Sequence, residues 1–137
     1  MQQPSEKVFT KVIEVQESDL DQMQHVNNVK YVQWIQDIAS SHWQSVASNH
    51  LQEKYAWVVT THHINYKSPA FLGDKICLRT YVKKSSGVTS IRIVEMYHND
   101  TNKLLVNAET SWCLLLRDTL KPCRIPDEIS VLFSEDN

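Results

Sequence analysis

The chain has 137 residues and a formal net charge of −2, from 14 Lys and Arg against 16 Asp and Glu. That length fits one domain, residues 1–137, with a real core, and is too short for two ordinary domains. The weak acidic balance, with no basic block, speaks against nucleic acid as a partner and against a polybasic membrane tether.

Met1 to Glu6 is polar where a secretory signal would be apolar, and no later run approaches the roughly 20 apolar residues of a bilayer span. A cytoplasmic protein with no membrane partner is the expectation. Cys77, Cys113 and Cys123 lie far apart without a CxxC pair, so neither a disulfide framework nor a zinc knuckle is indicated, and reduced thiols are expected.

From Val8 to Val15 apolar and charged residues alternate imperfectly, which predicts a first strand. It leads into Asp19-Leu20-Asp21-Gln22-Met23-Gln24-His25-Val26-Asn27-Asn28, where two carboxylates, an imidazole and two carboxamides crowd the approach to a helical pattern. Such groups cost roughly 1 to 3 kcal/mol each when buried without a partner. The segment therefore reads as a site before it reads as core.

Between Asn28 and Asn49 the residues Val29, Val32, Ile35, Ile38 or Ala39, His42 or Trp43, and Val46 recur at helical spacing, with Asn27 or Asn28 placed as the cap. One helix of about six turns and on the order of 30 Å follows, long enough to lie along a whole sheet. Lys30 and Asp37 are its only formal charges, so most of its circumference is expected to be covered. After a polar turn at Gln52-Glu53-Lys54, four extended segments run over Ala56 to Lys67, Asp74 to Lys84, Val88 to His98 and Lys103 to Arg117. Pro69 to Asp74, Ser85-Ser86-Gly87 and Asn99-Asp100-Thr101-Asn102 carry turn chemistry, and such short links imply antiparallel neighbours. Beyond Arg117, Pro122 and Pro126 interrupt any regular element, and Ser134 to Asn137 reads as a frayed tail. The order predicts an α+β fold, one long helix packed on a curved antiparallel β-sheet.

The run Asp19-Leu20-Asp21 followed by His25-Val26-Asn27-Asn28-Val29-Lys30-Tyr31 resembles the signature of the hotdog-fold thioesterases, the 4-hydroxybenzoyl-CoA thioesterase-like group, and is also similar to the motif of plant acyl-ACP thioesterases. Ile64-Asn65-Tyr66 leading into Pro69-Ala70-Phe71-Leu72-Gly73-Asp74 resembles the family's second strand and its turn, and Lys121 to Pro126 its exit segment, so the likeness covers residues 8–130. Two departures stand out. Met23 replaces an Asn of the plant enzymes, and those carry two hotdog repeats where this chain has room for one.

The resemblance implies a homodimer of hotdogs, often paired again into a homotetramer, with each active site shared between subunits and a place in fatty acid metabolism. It implies hydrolysis of an acyl-CoA or acyl-ACP thioester, with no cofactor. Asp21 matches the catalytic carboxylate, which either activates water or attacks to give a transient anhydride. The first role needs a partly dry setting, and the second wants the group ionised. The acyl oxygen would be held by backbone N–H groups at the helix start around Asn28. His25 polarises the carbonyl, orients Asp21, protonates the leaving thiolate, or only fixes the loop. Asp19 and Asn28 are natural caps, so Asp19 is expected to be structural and Asn28 to contribute mainly through its backbone.

Tyr31 and Trp34 read as core or interface aromatics, Tyr31 also as a substrate contact. Thr60, Thr61 and His63 lie on the strand that, by the resemblance, passes the neighbouring subunit's site, and they either support it or pack as an ordinary strand. Lys83 and Lys84 beside the Ser85-Ser86-Gly87 turn, with Arg92, form the best cluster for CoA phosphates, or else a solvated hairpin end. His62 and His63 point to opposite faces of a strand, and His42 and His50 have no accompanying carboxylate or thiol cluster, so no metal site is expected. A hotdog 3-hydroxyacyl thioester dehydratase or hydratase and a non-catalytic acyl-CoA-binding module are the rival readings. The Asp to His-Val-Asn-Asn arrangement fits hydrolysis better.

Overall fold

The computed structural model describes residues 7–134. The expectations for Met1 to Glu6 and for Glu135 to Asn137 fall outside them. Strand β1 (Phe9–Glu14) leads through a 3-10 turn (Glu17–Asp19) to helices α1 (Asn28–Val46) and α2 (Asn49–Lys54). Strands β2 (Tyr55–Tyr66), β3 (Lys75–Ser86), β4 (Thr89–His98) and β5 (Leu104–Leu116) follow, then a short helix α3 (Asp127–Ser130) and a 3-10 turn (Val131–Phe133). The five strands form one antiparallel sheet in the order β1-β3-β4-β5-β2. This is the expected α+β hotdog architecture, and it leaves β1 and β2 as edges.

Helix α1 starts where Asn27 accepts a 3.0 Å bond from the N–H of Val29, so Asn27 and not Asn28 is the cap. Tyr31, Ile35, Ile38, Ala39, His42 and Trp43 recur every three or four residues and are buried, which lays one stripe of the helix on the sheet. They meet alternate residues of the strands, Ile76 and Leu78 of β3, Val94 and Met96 of β4, and Val106 and Ala108 of β5. A second cluster joins Trp43, Leu51, Leu114, Ile129 and Phe133.

Three expectations change. The single helix to Asn49 stops at Val46, because Ala47 is extended and Ser48 starts α2 by accepting from the Leu51 N–H at 3.2 Å. Gln52 to Lys54 is the end of that helix, not a free turn. Pro126 does not prevent a regular element after Arg117: it stands at the N-cap of α3, where its missing N–H costs nothing, and Ile129 and Phe133 enter the core. In the single chain Val29, Gln33, Asp37, Ser40 and Gln44 leave one face of α1 exposed.

Gly73, at φ 83°, turns the chain so that its N–H bonds Val15 O at 3.1 Å and the Val15 N–H bonds Asp74 O at 2.9 Å. The same connection supplies the Ala70 carbonyl to the Val26 N–H at 3.0 Å. The two polar motifs of the sequence are thereby stitched together. Among the described residues no helix is long and apolar enough to cross a membrane.

Candidate active site

Residues 19–28 fold as a small two-stranded turn that opens onto α1. Leu20 and Val26 form an antiparallel bridge, the Asp21 N–H bonds His25 O at 2.7 Å, and the Asn27 N–H bonds Asp19 O at 2.9 Å. Gln24 closes the turn at φ 65°, a left-handed conformation that side chains rarely adopt.

Asp21 is half-buried, and its Oδ1 accepts from the N–H groups of Met23 at 2.9 Å and His25 at 3.1 Å. Two donors on one oxygen fix the carboxylate's orientation. Oδ2 makes no hydrogen bond to a described residue. Asp19 is buried and occupied, accepting from the Gln16 N–H at 2.8 Å and facing Lys30 Nζ at 3.4 Å. Of the two carboxylates, Asp19 braces the loop and Asp21 is available.

His25 is half-buried and packs edge-on against Phe71, ring centres 5.3 Å apart. Met23 is exposed. At the helix start the Val29 N–H goes to Asn27 Oδ1 and the Lys30 N–H to Asn27 O at 2.8 Å. The Asn28 N–H has no acceptor among the described residues, and Asn28 borders a recess of about 200 Å³ with Val26, Tyr31, Tyr66 and Pro69. Asp21 and His25 are not in its lining.

Tyr31 is buried against Trp34 and Tyr66, at 5.6 and 5.7 Å between ring centres. Its hydroxyl makes no well-formed hydrogen bond, the Ala70 backbone meeting it only loosely, and burial pushes its pKa up to about 12. Thr60 sits at a bulge in β2 and donates to Ser111 O at 3.1 Å. Thr61 and His63 are exposed, and His63 joins Asn65, Glu95, Asn107 and Glu109 around an open recess on the sheet face away from α1. His62 faces inward, with both ring nitrogens buried and unpaired among the described residues.

The expected cluster of Lys83, Lys84 and Arg92 is not formed. Lys83 and Lys84 are exposed, Lys83 meeting Glu109 at 3.3 Å, while Arg92 is 6% exposed on the opposite face of the sheet. The reason is phase: Arg92 is in step with Val94 and Met96, both at 0% exposure, so its strand carries it inward. That step of two was the signal in the sequence. Arg92 Nη1 bonds His42 Nδ1 at 2.9 Å and Thr80 Oγ1 at 3.0 Å. Beside it lies a cavity of about 320 Å³ that includes Trp43, Trp57, Trp112 and Phe133. The described residues hold no group of three potential metal ligands.

Residues 6–133 match the family model of the acyl-ACP thioesterase N-terminal domain. No curated protein matches the chain. Among solved structures, it is similar to the 1,4-dihydroxy-2-naphthoyl-CoA thioesterase of Synechocystis, at 19% identity and a TM-score of 0.79, covering 92% of this chain and 95% of that one. It is similar to a Staphylococcus aureus protein characterised in complex with CoA, at 16% identity and a TM-score of 0.82, covering 96% and 85%. The 12:0-ACP thioesterase of Umbellularia californica gives 17% identity and a TM-score of 0.78, covering 95% of this chain and 51% of that one. At these identities the likeness is one of fold.

Proposed function

We propose, for a chain that belongs to the acyl-ACP thioesterase N-terminal-domain family and is a thioester hydrolase, that it cleaves an acyl-CoA with Asp21 as base or nucleophile and the Asn28 N–H as donor to the acyl oxygen. The observation that carries this reading is one oriented carboxylate with a spare oxygen on the same short turn as an unspent helix N-terminal N–H. Attack by water, with Asp21 taking its proton, or by Asp21 itself puts negative charge on the acyl oxygen. An N–H at the positive end of α1 stabilises that charge as it develops. The intermediate collapses by expelling the thiolate, whose thiol has a pKa of about 8 to 9 and which leaves with little help; on the nucleophilic route water then opens the Asp21 anhydride, releasing the acid and restoring the carboxylate. His25 is then a positioning residue: its backbone N–H holds Asp21 Oδ1, and its ring rests on Phe71.

The site is shared in a homodimer on this reading. Strand β2 pairs with β5 on one side and has an open edge on the other, which a second copy would satisfy. Thr60, Thr61 and His63 lie on that edge strand, where a partner could bring them to the first subunit's site. Lys83 and Lys84 remain the exposed cations suited to CoA phosphates. An acyl-ACP substrate is the second reading, favoured by the family model itself.

Thiol release should be followed across short, long and aromatic acyl-CoAs, with Asp21→Ala as control. A loss of about 100-fold or more is expected; a variant within a few-fold of the natural protein would overturn the assignment.

A further inference from the structure

Arg92 is a buried cation with no use in the chemistry at Asp21. Both of its hydrogen bonds to described residues leave from Nη1, to His42 Nδ1 and Thr80 Oγ1. Both acceptors are neutral, because burial, helped by Arg92 itself, pushes the His42 pKa down to about 4. Burial lowers that of Arg92 only to about 10, so the guanidinium stays charged at neutral pH. The ion pairs among the described residues are Lys30 with Asp19, Arg79 with Glu95, Lys83 with Glu109 and His98 with Asp74, none at Arg92. Phe133 lies 5.5 Å from Arg92 Cζ and offers only a ring face. A guanidinium this deep ordinarily carries a carboxylate.

The partly open cavity beside it combines aromatic side chains with uncharged polar ones. Trp43, Trp57, Trp112 and Phe133 wall it, and Arg92 stands in its lining. Its volume of about 320 Å³ is at the low end for pockets that hold small organic molecules. Arg117, also in the lining, is already committed to the carbonyls of Gln52 and Tyr55, leaving Arg92 as the cation a ligand would meet. On α1 the lining starts at Ala39, roughly 16 Å along the helix from Asn28. The chamber is thus distinct from the oxyanion donor of the same chain.

We propose that this chamber binds an apolar organic acid, a one- or two-ring aromatic or medium-chain body whose carboxylate pairs with the Arg92 guanidinium. The acid can be a free ligand or the far end of an acyl group, the recognition chemistry being the same. Because it is read by binding, the proposal stands or falls apart from hydrolysis at Asp21.

Quenching of tryptophan fluorescence in the full chain should be titrated with 2-naphthoate and with its neutral counterpart 2-naphthamide. Saturable binding is expected, with naphthoate tighter by about tenfold or more. The preference should vanish in Arg92→Met and return in part in Arg92→Lys, with thermal unfolding followed for each. Ser40→Trp, at an exposed lining position of α1, should weaken both ligands while leaving Arg92 in place, and serves if the arginine variants do not fold. Competition by octanoate extends the test to chains. A kcat/KM preference for an ω-carboxyacyl-CoA over a methyl-ended one of equal length, lost in Arg92→Met, assigns the acid to the acyl group. Binding of the free acid without that preference assigns it to a separate ligand. Equal affinity for naphthoate and naphthamide, or no saturable binding of either, overturns the proposal.

Discussion

Nη1 of Arg92 stands 2.9 Å from Nδ1 of His42, inside the protein. Arginine has only donors, so Nδ1 must accept, which makes the imidazole neutral with its proton on Nε2. A second proton would face the guanidinium in a buried setting, hence a pKa pushed from 6.5 to about 4. As pH falls below 6.5 the unfolded chain takes up a proton that the folded chain refuses until about pH 4. The contribution is therefore complete above that window and lost through it, at most about 3 kcal/mol. Urea midpoints between pH 7 and 4 should fall steeply for the natural chain and less for His42→Gln; parallel slopes would refute the pairing.

Asn28 tests the oxyanion donor cleanly. It is the first residue of α1, and Asn27 before it is extended at φ −68° and ψ 135°, a place where proline fits and only an N–H is lost. Asn28→Pro should cut kcat by about 100- to 1000-fold with little change in melting temperature, while Asn28→Ala stays near the natural rate. Equal kinetics for the two variants would show that the backbone donor is not used.

The two carboxylates should separate by readout. Asp19 accepts the Gln16 N–H and faces Lys30, so Asp19→Ala should cost stability of about 1 to 3 kcal/mol. Asp21→Asn should instead lower kcat with a smaller effect on unfolding. The reverse pattern would exchange their roles.

Gln24 holds φ 65° in the turn between Asp21 and His25. Gln24→Gly removes that strain, of roughly 1 to 2 kcal/mol before the extra chain entropy of glycine is subtracted. A small rise in the urea midpoint is expected, and a fall would mean that the side chain contributes a contact.

Lys83 and Lys84 lie on β3 just before the β3–β4 turn, and the exposed pair of Lys83 with Glu109 at 3.3 Å adds little stability. Replacing both lysines by Ala should raise KM for CoA esters and spare a small thioester without the nucleotide. An equal effect on both substrates would remove them from carrier binding.

Alternation and turn residues sufficed to place β2 to β5 close to their observed limits, because strand phase and turn conformation are local properties of the chain. The capping motif likewise marked the start of α1, although it did not choose between Asn27 and Asn28. The break at Ser48 was legible as a capping residue but hidden inside a continuous helical period.

The sequence by itself determined the strands and the long helix, the motif that carries Asp21, His25 and Asn28, and the two-residue phase that pairs Arg92 with Val94 and Met96. Only the tertiary structure decided which face of β4 is inward, because that depends on α1 covering one side of the sheet. It also joined partners far apart in the chain, Arg92 to His42 and Val26 to Ala70. Those bonds are non-local, formed between groups that periodicity cannot relate, and they turned an expected surface cation into a buried charge in the lining of a partly open cavity.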